Sequence, residues 1–113
     1  MIEHLENLIK PNTDRISEDF DAILEKHDKV LIDFFATWCG PCRMLMPLLD
    51  KVSERLDDLL IIKIDVDKFP ELASNYSVSA IPHLVLIKDG TEVASHAGFA
   101  SSNNLIDWIN DNC

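Results

Sequence analysis

Two cysteines separated by two residues, Cys39 and Cys42, stand in the run Trp38-Cys39-Gly40-Pro41-Cys42. One helical turn of separation puts the two sulfurs on the same face, the geometry of a disulfide that opens and closes. The thiolate is the attacking species, so the chemistry needs a site that favours an anion. An ordinary thiol, with a pKa of about 8.5, is only about 3% ionised at pH 7. Two other readings exist for such a pair: inert buried cysteines, or half of a zinc site. Zinc would need two further ligands at ligand-like spacing, and the chain has no second Cys-x-x-Cys.

The elements on either side supply that environment. Lys29-Val30-Leu31-Ile32-Asp33-Phe34-Phe35-Ala36 is apolar, rich in branched and aromatic residues and too short to span a membrane, as expected of a strand buried on both faces. Leu45, Leu48, Leu49, Val52 and Leu56 recur at helical spacing, which predicts a long helix with one apolar face. Cys39 then falls at the N-terminus of that helix, where unpaired N–H groups and the macrodipole favour a thiolate. Pro41 suits the first turn, because its missing N–H had no intrahelical partner to lose. Pro47 inside the helix predicts a kink.

Asp33 interrupts its strand, and burial should raise its pKa. It is a candidate proton acceptor for Cys42, an acid kept for structure, or an edge residue facing water. Lys63 breaks the apolar run Leu60-Ile61-Ile62-Lys63-Ile64-Asp65-Val66 in the same way; it either tunes Asp33 or is solvated.

The remaining segments complete an α/β pattern. Ile2, Leu5, Leu8 and Ile9 have helical spacing that ends at Pro11-Asn12, and a short strand is expected around Ile16. Ser17 is placed to cap a helix carrying Phe20, Ile23 and Leu24, with Glu18 and Asp19 in its first turn. A strand, a long helix and a strand in sequence imply a right-handed parallel crossover. Pro70 opens a short helix through Ala73. The segment from His83 to His96, turning at Asp89-Gly90, reads as an antiparallel hairpin. Ser101 or Ser102 caps a last helix with Leu105, Ile106 and Ile109, on which Trp108 is a packing residue. The expected fold is a central mixed sheet with helices on both faces, in one domain spanning residues 1–113.

The chain resembles thioredoxins. The resemblance rests on Trp38-Cys39-Gly40-Pro41-Cys42, with Asp33 six residues earlier, Pro47, Lys63, Ile81-Pro82 ahead of the hairpin and Gly98 after it. It implies the thioredoxin fold and protein-disulfide reduction, with Cys39 as nucleophile and Cys42 as resolving thiol. It also implies a functional Asp33, a cis proline at Pro82, and a shallow docking surface formed by Trp38, Gly40, Pro41, Ile81, Pro82, Ala97 and Gly98. Gly98 has the alternative reading of a plain turn residue. Two positions depart from the family pattern: His83 stands where threonine is frequent, and Phe35 where tryptophan is frequent. A histidine there would either stabilise the Cys39 thiolate or sit exposed without influence.

Ten basic against twenty acidic residues give a net charge of −10, which disfavours nucleic acids and anionic membrane surfaces as partners. The start, Met1-Ile2-Glu3-His4-Leu5-Glu6, is acidic where an export signal is basic, so a cytoplasmic protein is expected. Three cysteines are too few for a secreted framework and leave Cys113 over, as a free exposed thiol or one open to intermolecular pairing or a regulatory modification. No dinucleotide-binding glycine pattern is present, so no bound nicotinamide cofactor is expected, and without a second Cys-x-x-Cys no metal is expected either. As the resemblance implies, electrons from NADPH would arrive through a thioredoxin reductase, and the partners would be that reductase and disulfide proteins met by a monomer. Two other functions remain open: an isomerase or oxidant, and a binding module whose thiols are incidental.

Overall fold

A computed structural model describes residues 1–113. The elements are β1 (Ile2–His4), α1 (Ile16–Glu25), β2 (Lys29–Phe35), α2 (Gly40–Arg55), β3 (Leu59–Asp65), α3 (Pro70–Asn75), β4 (His83–Lys88), β5 (Thr91–Ala97) and α4 (Ser102–Asn112), with one 3-10 turn at Leu5–Asn7. They form a five-stranded sheet in the order β1-β3-β2-β4-β5. β1, β3 and β2 run parallel, and β4 and β5 are antiparallel to their neighbours. The mixed α/β architecture is the one the residue pattern predicts.

β2 lies at the centre because both of its faces are apolar. Val30, Ile32 and Phe34 join Phe20, Leu24 and Leu72 in a core beneath α1 and α3. Leu31 turns the opposite way, into a second core with Leu45, Leu49 and Val52 of α2 and Leu105 and Ile109 of α4. Strand alternation therefore puts Asp33 on the α2 side. At the far end of the hairpin, Asp89 (φ 51°) and Gly90 (φ 81°) make the left-handed pair that suits the sheet twist.

The N-terminal segment departs from expectation. Ile2, Leu5, Leu8 and Ile9 do not share a helix: Ile2–His4 pairs in parallel with Ile61–Lys63, and only Leu5–Asn7 makes a helical turn. A helix would have buried Leu8 beside Ile9, but Leu8 is exposed while Leu5 and Ile9 are buried. The edge of β3 takes Ile2–His4 as a strand, and tertiary hydrogen bonding outweighs local periodicity. No strand forms around Ile16 either. That residue begins α1 and inserts into the core, while Ser17 lies within the helix and hydrogen-bonds to Glu71 Oε1 (3.4 Å) instead of capping.

Candidate functional site

The end of β2 leads directly into the first turn of α2, so the chain turns from strand to helix at the two cysteines. Cys39 is the N-cap of α2 with extended backbone (φ −89°, ψ 113°), and its Sγ accepts the Cys42 backbone N–H at 3.2 Å. The sulfur thus meets one of the N–H groups that the helix leaves unpaired. Cys39 and Cys42 are joined in a disulfide with Cα atoms 5.3 Å apart, and they are 5% and 2% exposed. Only the Cys39 side faces the surface to any extent. Cys39 Sγ lies 4.0 Å from the carbonyl oxygen of Ile81, the residue before the cis Ile81–Pro82 bond.

On the α2 side of the sheet, Asp33 and Lys63 are direct partners across β2 and β3. Their charged groups are 3.6 Å apart, and both side chains are buried. Neither Asp33 oxygen has a hydrogen-bond partner, and burial raises its pKa to about 6, with the Lys63 charge pulling the other way. Lys63 Nζ stands over the Phe35 ring, 5.0 Å from its centroid, and His4 packs edge-on against the same ring.

The thioredoxin family model matches residues 12–111. The chain belongs to the thioredoxin family. It is 50% identical over 80 residues to the thioredoxin of Chlamydia trachomatis, a match covering 71% of this chain and 78% of that one. The thioredoxin of Rickettsia prowazekii is 39% identical over 91 residues, 80% of this chain and 87% of its own. The chloroplastic thioredoxin Y2 of Arabidopsis thaliana is 45% identical over 92 residues, which take up 80% of this chain but only 55% of that relative. Among solved structures, oxidised mitochondrial thioredoxin 3 of Saccharomyces cerevisiae superposes with a TM-score of 0.78 at 39% identity, covering 84% of this chain and 89% of that one. Thioredoxins are protein-disulfide oxidoreductases, and the paired Cys39 and Cys42 are the groups that exchange here.

The thioredoxin site gathers most of the residues singled out in the sequence. Trp38 is 68% exposed and, with Ile81, lines an apolar groove completed by Val66, Ala73, Val78 and Ala80. Pro82 and Gly98 meet through a hydrogen bond in which the Gly98 N–H donates to the Pro82 carbonyl at 2.8 Å. Gly98 has φ 94°, so its turn role and its place beside Pro82 are one requirement. Ala97 pairs with His83 at the same end. Gly40 and Pro41 form the first turn of α2, and Pro47 sits inside that helix.

Burial lowers the His83 pKa against the pull of Glu92, and its ring packs against Phe34. Trp108 packs on His96, and Cys113 is free and exposed. No three His, Cys, Asp or Glu side chains gather as a metal site, and no helix is long and apolar enough to cross a membrane.

Asp67 escaped the sequence reading. Its Oδ2 accepts the Trp38 indole N–H at 2.9 Å and so holds the exposed ring over the groove. Only the fold brings these residues together, and an acidic residue in a loop of an acidic chain carries no signal of its own. Val66, Val78 and Ala80 had a signal that went unused: all are apolar residues beside sites already marked at Lys63 and Ile81.

Proposed function

We propose that this thioredoxin is a general reductant of protein disulfides in the cytoplasm, working as a single-domain monomer and re-reduced by a thioredoxin reductase that draws on NADPH. The observation that carries the reading is the Cys39 sulfur at the N-cap of α2, accepting the Cys42 N–H at 3.2 Å. Cys39 thiolate attacks one sulfur of a substrate disulfide, forms a mixed disulfide and releases the other substrate sulfur as a thiolate. Cys42 gives its proton to Asp33 and attacks Cys39 Sγ. The second substrate sulfur leaves, and the Cys39–Cys42 bond closes with two electrons transferred. Lys63 opposes the rise in the Asp33 pKa and so keeps the acceptor basic but ionisable near neutral pH.

Docking is assigned to Trp38, Gly40, Pro41, Ile81, Pro82, Ala97 and Gly98, where an extended peptide finds the free backbone of Ile81 and an apolar groove. A net charge of −10 supports partners other than nucleic acids or anionic membranes.

The test is insulin reduction driven by dithiothreitol, then by NADPH with a thioredoxin reductase. Wild type should precipitate the insulin B chain in both assays, and Cys39→Ser with Cys42→Ser should abolish the acceleration. A double variant as active as wild type would leave a binding module as the function. Cys42→Ser alone should accumulate mixed disulfides that name the physiological partners.

A further inference from the structure

Two of the three arginines in the chain are engaged: Arg15 pairs with Glu18, and Arg55 donates to Asn103. The third is not. Arg43 is exposed in the first turns of α2 and makes no ion pair or hydrogen bond, although the chain carries twenty acidic residues. On the same stretch of helix Met44 and Met46 are 64% and 42% exposed. Exposed methionine beside a free guanidinium is the composition of an interface, because the thioether adapts to varied shapes and the guanidinium stacks on rings.

Arg43 and Met46 border a hollow of about 240 Å³, completed by Phe35, Ala36, Thr37 and Cys42. It is separate from the groove under Trp38: the two share no residue, Thr37 bordering one and its neighbour Trp38 the other. An apolar cavity of about 150 Å³ accepts benzene, so this one has room for a phenyl or indole group. Phe35 makes that room, because a phenyl ring leaves open part of the space that the tryptophan frequent at this position would fill. The wall is also fixed before anything arrives. His4 packs edge-on against the Phe35 ring, and Lys63 Nζ stands over it at 5.0 Å, so little ordering is left to be done on binding. Apart from Thr37 and Arg43 the lining is apolar, and a guanidinium over the face of a ring is itself attractive.

We propose that this hollow receives one aromatic side chain of the protein whose disulfide is being reduced, seated against Phe35 and Met46 with Arg43 over its face. The proposal rests on the reading that protein disulfides dock at Cys39. Cys42 is at once a wall of the hollow and the covalent partner of Cys39, so a ring seated there lies close to the sulfur under attack. An extended chain advances about 3.3 Å per residue, which puts the ring within about four positions of the substrate cysteine. The favoured substrates are therefore disulfides with Phe, Tyr or Trp near the reactive cysteine. Phe35, Arg43 and Met46 set specificity and touch no reacting atom.

The experiment measures mixed-disulfide formation by Cys42→Ser with symmetric disulfides of short peptides, read by mass spectrometry after acid quench. Each peptide has one cysteine and one tryptophan, the tryptophan moved from one to about four residues to either side, and the readout is its rate relative to the alanine peptide. One position should give a tryptophan advantage of about tenfold, the low end for burying a ring. Arg43→Gln, at an exposed position, should cut the advantage to about threefold, and Phe35→Trp, which fills the hollow, to below about twofold. In the trapped adduct the Met46 methyl resonance should move upfield and show contacts to the indole. No positional advantage, or one that survives both Arg43→Gln and Phe35→Trp, would overturn the proposal. An advantage removed by Trp38→Ala but not by Phe35→Trp would overturn it too, placing the ring in the other groove. Insulin reduction by the unaltered protein separates the two claims. If it is not accelerated, the reductase reading fails and the hollow with it; if it is and no ring preference exists, only the hollow fails.

Discussion

A carboxylate inside an apolar strand is the costliest residue choice in this chain, and the cost can be measured. The Asp33 pKa of about 6, against an ordinary 3.8, means that the folded protein takes up this proton more readily than the unfolded chain. The stabilising effect of that proton is complete below the unfolded value and is lost as pH rises through the folded one. The gap corresponds to about 3 kcal/mol of stability surrendered by neutral pH. Urea denaturation of the oxidised protein should show Asp33→Asn gaining on wild type by up to about 3 kcal/mol between about pH 4 and about pH 7, whatever fixed offset the unpaired Lys63 adds. A constant difference across that range would mean that Asp33 is not desolvated. The expense also made the residue legible. A charge in the middle of β2 or β3 stands out against Val, Leu, Ile and Phe, whereas Asp67, equally specific in its contact with Trp38, sits in a loop where acid costs nothing.

Whether an element was legible depended on whether its partner lay within its own sequence. Both long helices that flank the second core announce themselves by periodicity, and their caps follow local rules. Ser101 heads α4 and its Oγ accepts the Asn104 N–H at 3.2 Å. Ser101→Ala should therefore lower the stability of the whole domain by about 1 kcal/mol, read as a fall in urea midpoint with unchanged slope, while Ser102→Ala should cost much less. The hairpin was equally plain, because Asp89-Gly90 supplies both left-handed residues of the turn. β1 was not. Three residues cannot show a period, and their strand conformation comes from the free edge of β3, some sixty residues away. The start of α1 at Ile16 was hidden for a local reason: its N-cap, Arg15, makes no side-chain cap, so no residue marked the helix entrance.

Taken whole, the molecule places its exchange site where β2, the strand at which parallel pairing gives way to antiparallel, runs out into α2. Two cores, one on each face of the sheet, hold that strand end fixed, while the reactive face itself presents mostly apolar groups and backbone. Discrimination among substrates by charge then draws on the field of the entire surface, since the groove lining is uncharged and Asp67 beside it is engaged with the Trp38 indole. With a net charge of −10, that field favours the approach of basic disulfides and opposes acidic ones. The range is set by salt, since the screening length falls from about 30 Å at 0.01 M to about 10 Å at 0.1 M. Second-order rate constants for two peptide disulfides of identical core, one flanked by lysines and one by glutamates, should therefore converge as salt is added. The lysine peptide should slow and the glutamate peptide accelerate, each by a few-fold across about 0.01 to about 0.3 M salt. Parallel salt slopes for the two peptides would instead place charge selection in contacts close to the disulfide, where neither the groove under Trp38 nor the Ile81–Pro82 backbone carries a charged group.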